Sequence, residues 1–132
     1  MSSNYTVIVE KYAERHFISR FKKKYKGAWD VTWKAICEEL KRVDILIGAT
    51  NIAETMADQD GIRICKTEFR VHGTEESRHA SGNRCIVAVH KNTCVVNVLT
   101  VYHKNDLAGH NETAEWKRMI KENYPEYKEL CG

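Results

Sequence analysis

Arg84-Cys85-Ile86-Val87-Ala88-Val89-His90, then Lys91-Asn92, then Thr93-Cys94-Val95-Val96-Asn97-Val98-Leu99-Thr100-Val101-Tyr102 is the stretch on which the fold turns. Both flanks are rich in β-branched residues, which suit a pleated, packed surface. The second run is apolar on both faces, so it reads as an interior strand. Lys91-Asn92 between them reads as a tight hairpin turn, because asparagine tolerates positive φ. That register sets His90 opposite Thr93, Val89 opposite Cys94, and Cys85 opposite Val98.

Upstream, Ile62 to Val71 reads as a further strand on which Lys66, Glu68 and Arg70 share one face. His72 to Asn83 is polar with two glycines and reads as an exposed loop. Ala49 to Gly61, carrying Glu54, Asp58 and Asp60, also reads as a loop with at most one helical turn. Before it the period is helical. Tyr12, His16, Phe17, Phe21 and Tyr25 form one stripe. Trp29, Trp33, Ile36, Leu40, Val43 and Ile47 form a second. Gly27 is read as the stop of the first helix and Gly48 as the end of the second, which makes an αα-hairpin. Tyr5 to Val9 is a first strand. Glu112 to Tyr124 is a closing helix with acids first, bases later and Trp116, Met119 and Ile120 buried, and Pro125 ends it. The predicted class is α+β: an N-terminal strand, an αα-hairpin, a three-stranded antiparallel segment and a C-terminal helix, within one domain over residues 1–132.

The 132 residues contain 21 Lys plus Arg and 18 Asp plus Glu, with 42% hydrophobic residues, which describes a globular chain rather than a disordered one. No apolar run is as long as a membrane span, and the first residues lack the pattern of a signal peptide, so a cytoplasmic protein without membrane partners is expected. Charge is uneven. Seven bases against one acid between Lys11 and Lys26 make that segment +6, leaving −3 for the rest. Such a segment, containing Arg20, Lys22, Lys23, Lys24 and Lys26, is either a polyanion surface or a solvated helix face. The five cysteines show no Cys-x-x-Cys pair or finger spacing, so free thiols are expected and no metal site. Phosphate loops, nucleophile elbows and His-Glu-x-x-His pairs are absent.

What remains is a polar group on the sheet: Lys66, Glu68 and Arg70, then Arg84, then Tyr102-His103-Lys104. Convergence on one sheet face is expected, and cations beside an imidazole and a phenol suit cleavage of RNA by its own 2′-hydroxyl, without a metal or cofactor. The alternative from spacing alone is that Arg70 and Arg84 are edge charges paired with Glu68 and its neighbours, and His103 a loop histidine.

Ser81-Gly82-Asn83-Arg84-Cys85-Ile86-Val87-Ala88-Val89, a turn, and Val96 to Tyr102 followed by His103-Lys104-Asn105-Asp106 resemble the C-terminal half of RelE/YoeB-type toxins of bacterial toxin-antitoxin modules, in the RelE/ParE superfamily. The resemblance implies a strand, two helices and a run of antiparallel strands, and a ribosome-dependent mRNA endonuclease held by a cognate antitoxin. It implies Arg84 at the scissile phosphate and His103 near the proton donor. Lys104 stands where the family has a tyrosine, and here the tyrosine precedes the histidine as Tyr102. Glu68 matches the family's proposed base across a lengthened loop. Lys66 and Arg70 fit its cationic lining, and the basic first helix fits a surface turned toward ribosomal RNA. Another branch of the superfamily, the ParE-like toxins, acts on a topoisomerase and needs no histidine.

Overall fold

The computed structural model describes residues 4–48, 53–106 and 111–131. It has an α+β fold built on a five-stranded mixed sheet in the order β1-β5-β4-β3-β2. The strands are β1 (Thr6–Val9), β2 (Ala53–Gln59), β3 (Ile62–Phe69), β4 (Asn83–His90) and β5 (Val95–His103). β1 lies parallel to β5, and every other pairing is antiparallel. Between β1 and β2 run α1 (Lys11–Ala13), a π-helical turn (Glu14–Ile18), α2 (Ser19–Leu40) and α3 (Val43–Gly48). α4 (Glu112–Asn123) follows the sheet.

Alternation along the strands supplies apolar side chains to both faces. Cys85, Val87 and Val89 of β4 pack with Ile18, Phe21, Trp29, Ile36 and Leu40 of the helical segment. Ile86 and Ala88 point the other way, toward Trp116 and Ile120 of α4 and Tyr124 and Tyr127 beyond it. Trp29 and Trp116 are almost wholly buried, one on each side. Full burial of a large apolar side chain is worth about 1.5–3 kcal/mol, so each helical layer has its own anchor. The Asn111 side chain accepts from the Ala114 amide and caps α4. At the far end the Tyr124 hydroxyl donates to the Leu99 carbonyl at 2.7 Å. Five free cysteines are present, with Cys37, Cys85 and Cys131 pushed up by burial, Cys85 to about 12, so these three behave as packed thiols.

Several expectations are corrected. Ala49 to Gly61 is not a loop: residues 53–59 form edge strand β2, while 49–52 lie outside the described residues. Asp60 and Gly61 both take positive φ, 55° and 80°, closing a two-residue hairpin onto β3. The sheet therefore has five strands where the sequence suggested a shorter antiparallel segment. The first helix does not stop at Gly27. The break falls at Lys26, with φ 26° and ψ −109°, inside the span of α2. The chain bends there: the Phe21 and Trp29 rings stack at 4.9 Å, although eight residues of straight helix would advance about 12 Å. The second helix is interrupted after Leu40, and β3 ends at Phe69 rather than Val71.

The β4–β5 turn also differs. Lys91 to Cys94 separate the strands, with Cys94 at φ 55°, so His90 pairs with Val95 and Val89 with Val96. A bulge leaves Leu99 between Val98, which pairs with Val87, and Thr100, which pairs with Ile86; Cys85 then faces Val101. The extra residue is what brings Tyr102 directly opposite Arg84.

Candidate functional site

Two rows of side chains cross β3, β4 and β5 at the same end of the sheet. Glu68, Arg84 and Tyr102 are direct cross-strand neighbours. One residue along, Phe69, Asn83 and His103 make the adjacent row. Adjacent residues in a strand point to opposite faces, so the two rows look in opposite directions.

The first row faces α4. Arg84 is 3% exposed. Its guanidinium lies 3.7 Å from Glu68 and 3.8 Å from Glu112, and it donates to the backbone carbonyls of Asn83 and His79. The Arg84 Nε is buried without a hydrogen-bond acceptor among the described residues. Tyr102 donates its hydroxyl to Glu112 at 2.7 Å. Burial, then that hydrogen bond, drive the Tyr102 phenol far above its ordinary range, so it holds its proton. Exposed His79 meets Glu68 through Nδ1 at 3.0 Å. The arginine is thus held between two carboxylates; its pairing with Glu68 is the one part of the alternative reading that the structure has, since Arg84 is a buried charge on an interior strand, Arg70 borders another cleft and His103 ends β5. His79 and Glu112 were not anticipated, since each comes from a loop or a distant helix.

The second row faces the helical segment. His103, Asn83, Arg20, Phe21, Lys24, Tyr25 and Asp106 line a small cleft of about 50 Å³. Arg20 and Lys24, and likewise Phe21 and Tyr25, are four apart on α2 and therefore neighbours on its surface. The Lys24 ammonium lies 5.3 Å from the centre of the Tyr25 ring. His103 is held on two sides. Its Nδ1 accepts from the Asn105 amide at 3.1 Å, which leaves the neutral ring's proton on Nε2. On the other side lies Gly82, at φ 76°, where a Cβ would stand 2.7 Å from Nε2. The Lys104 amide donates to the Gly82 carbonyl, tying the strand exit to the loop before β4. That loop is itself pinned by Ser81, whose single hydroxyl proton lies between the Phe69 and Arg78 carbonyls and whose oxygen accepts from the Asn83 amide.

The residues singled out by sequence therefore separate. Glu68, Arg84 and Tyr102 come together, with Lys66 two positions from Glu68 on the same strand. His103 is on the opposite face, and exposed Lys104 begins the 3₁₀ turn Lys104–Asp106. Arg70 lies past the end of β3 and borders a different, larger cleft of about 310 Å³ with Glu39, His72 and Arg78. Of the basic segment, Arg20 and Lys24 reach the His103 cleft, while Lys22, Lys23 and Lys26 are exposed. Convergence of one cluster on a single sheet face does not occur. Instead the basic helix and the histidine, expected on separate surfaces, share one cleft. Asn83, Tyr25 and Asp106 were missed as members of it, although Asn83 and Asp106 each stand within three residues of a residue already singled out.

Among the described residues no group of three histidine, cysteine or acidic side chains is placed to hold a metal ion, and no helix is long and apolar enough to cross a membrane. Protein-family models, curated proteins and solved structures give no match to this chain.

Proposed function

We propose that the protein is a RelE-type toxin that cleaves mRNA without a metal or cofactor and so inhibits translation, with RNA engaged at the cleft between α2 and the end of β5. The observation that carries this reading is the meeting of Arg20, Lys24 and His103 around one phosphate-sized cleft. In such a reaction the 2′-oxygen attacks phosphorus, the bond to the 5′-oxygen breaks, and the products are a 2′,3′-cyclic phosphate and a 5′-hydroxyl. One proton leaves the 2′-hydroxyl and one reaches the departing 5′-oxygen. Arg20 suits the charge on the phosphorane, the Nε2–H of His103 suits a hydrogen bond to a phosphate oxygen, the Lys24 ammonium suits delivery of the proton to the 5′-oxygen, and the Asp106 carboxylate suits acceptance of the proton from the 2′-hydroxyl. The exposed Lys22, Lys23 and Lys26 add positive charge on other sides of the same helical segment, which suits contact with ribosomal RNA. A cognate antitoxin restrains the protein, the mRNA is met on the ribosome, and both are encountered in the cytoplasm. The topology supports this reading too: strand, two helices, then strands, with the first strand parallel to the last.

A second reading has one observation in its favour. Arg84, which the family resemblance would set at the scissile phosphate, is buried between two carboxylates. That favours a ParE-like or purely binding member without nuclease activity. Induced expression in bacteria separates the two. Arrest of translation by the wild type, relieved by His103→Ala and by Arg20→Ala with Lys24→Ala, is the expected result. Arrest with intact mRNA would favour the second reading, and undisturbed growth would remove the toxin reading.

A further inference from the structure

The sheet has two edges, and they differ. β2 carries the charged Asp58 and a register shift between Thr55 and Ala57, devices that discourage a further strand. β1 has neither: Thr6-Val7-Ile8-Val9 is uncharged, β-branched throughout and in unbroken register with β5. The Thr6 and Glu10 amides donate to the Cys94 and Val98 carbonyls at 2.9 and 3.2 Å, which turns those residues toward β5. Alternation then turns the amides and carbonyls of Tyr5, Val7 and Val9 outward. Tyr5 is already taken, its amide donating to the Lys41 carbonyl at 2.8 Å. No strand or backbone group among the described residues pairs with Val7 or Val9 on that side. The open groups therefore lie symmetrically about Ile8, a large apolar side chain that is 44% exposed.

We propose that β1 is the seat of a homodimer, in which β1 of a second copy runs antiparallel beside it about a twofold axis at Ile8, joining two five-stranded sheets into one. In that register Val7 of each copy meets Val9 of the other, and each such pair exchanges two backbone hydrogen bonds. Between them the two Ile8 side chains face one another at the close spacing of a non-hydrogen-bonded pair. A second copy fits better than an unrelated strand because the open donors and acceptors are symmetric about one apolar residue. No like charges meet either: Glu10 falls opposite Thr6, and Lys11, where α1 begins, falls opposite Tyr5. A four-residue pairing makes a small interface, below about 1,200 Å² in total, so the dimer forms at high concentration and parts on dilution. The inference stands apart from the RNA reading.

The test is sedimentation velocity of the whole chain from about 1 to about 300 µM, under reducing conditions because its five cysteines are free. The wild type should pass from the sedimentation coefficient of a monomer to that of a dimer. Ile8→Lys and Ile8→Glu each set like charges opposite one another across the axis and should weaken dimerisation at least about tenfold. An equimolar mixture of the two variants should regain it, since opposite charges then face. Because Ile8 is exposed, both variants should keep the wild-type circular dichroism and Tm. Should a charge there unsettle β1, Ile8→Thr keeps a β-branched residue and should weaken the dimer about fivefold through lost apolar contact. A wild type that stays monomeric at about 300 µM overturns the proposal and leaves the edge to water or to the strand of another protein. So does a dimer as tight with Ile8→Lys as without it, or a mixture that stays monomeric while the wild type dimerises, since either puts the contact on another surface.

Discussion

Replacing Arg84 by alanine takes away the guanidinium that lies between Glu68 and Glu112, at 3.7 and 3.8 Å. Two carboxylates on neighbouring elements are then left facing one another with the Tyr102 hydroxyl between sheet and helix. Breaking a fully buried pair costs about 3–5 kcal/mol. The arginine side chain is 4% exposed but its partners are 18% and 27% exposed, so water screens part of the loss and the lower end, about 3 kcal/mol, is expected. For a chain of this size that is roughly 10 °C in Tm. Urea unfolding followed by the fluorescence of buried Trp29 and Trp116 reads the change. Adding Glu112→Gln to the variant should recover at least about 1 kcal/mol, because one of the facing charges is gone. A stability within about 0.5 kcal/mol of wild type would mean that Arg84 does not hold the two carboxylates together, since that is how a surface arginine behaves. The same destabilisation makes Arg84→Ala a poor probe of chemistry, and places that role on His103.

Other outcomes are specific to single positions or to pH. Lys26→Gly should stabilise the chain by about 0.5–1 kcal/mol in thermal unfolding, because φ 26° with ψ −109° strains any residue with a Cβ. Gly82→Ala should destabilise by about 1–3 kcal/mol, since a Cβ at φ 76° would stand 2.7 Å from His103 Nε2, and the His103 ring resonances should shift with it. Alkali should unfold the protein early. Cys85, Tyr102, Tyr124 and Tyr127 all have folded pKa values raised by burial above 9.0 or 10.0. Their stabilising share is whole below those unfolded values and is lost as pH rises beyond them, by up to about 1.4 kcal/mol per pH unit for each group. Equilibrium unfolding between pH 8 and about 11 checks this, and a flat profile would count against it.

The second helical stripe and the two strongest strands were legible because burial imposes their period directly on the residues; in the first stripe His16 is exposed and Ala13 and Ile18 are buried instead, because the π-helical turn shifts the period there. β2 was not, since Ala53-Glu54-Thr55-Met56-Ala57-Asp58-Gln59 has little β preference and owes its form to pairing with β3. The Asp60-Gly61 step was its available signal, being the pair that favours positive φ at both turn positions. The site was misassembled for a simpler reason. Ending the last strand at Tyr102 left His103 free to join Arg84, but β5 continues through His103, and alternation sends the two side chains to opposite faces. The Leu99 bulge, which no local sequence feature marks, set which of them would face Arg84. The bend at Lys26 was expected one residue later because glycine is the usual occupant of such a backbone.

Mapping RNA 5′ ends after brief induced expression of the wild type and of His103→Ala tests most directly whether this cleft cuts RNA. New 5′-hydroxyl ends within mRNA are expected for the wild type, and their loss in the variant, at equal amounts of folded protein. Intact mRNA with wild type, or the same new ends with His103→Ala, would contradict it.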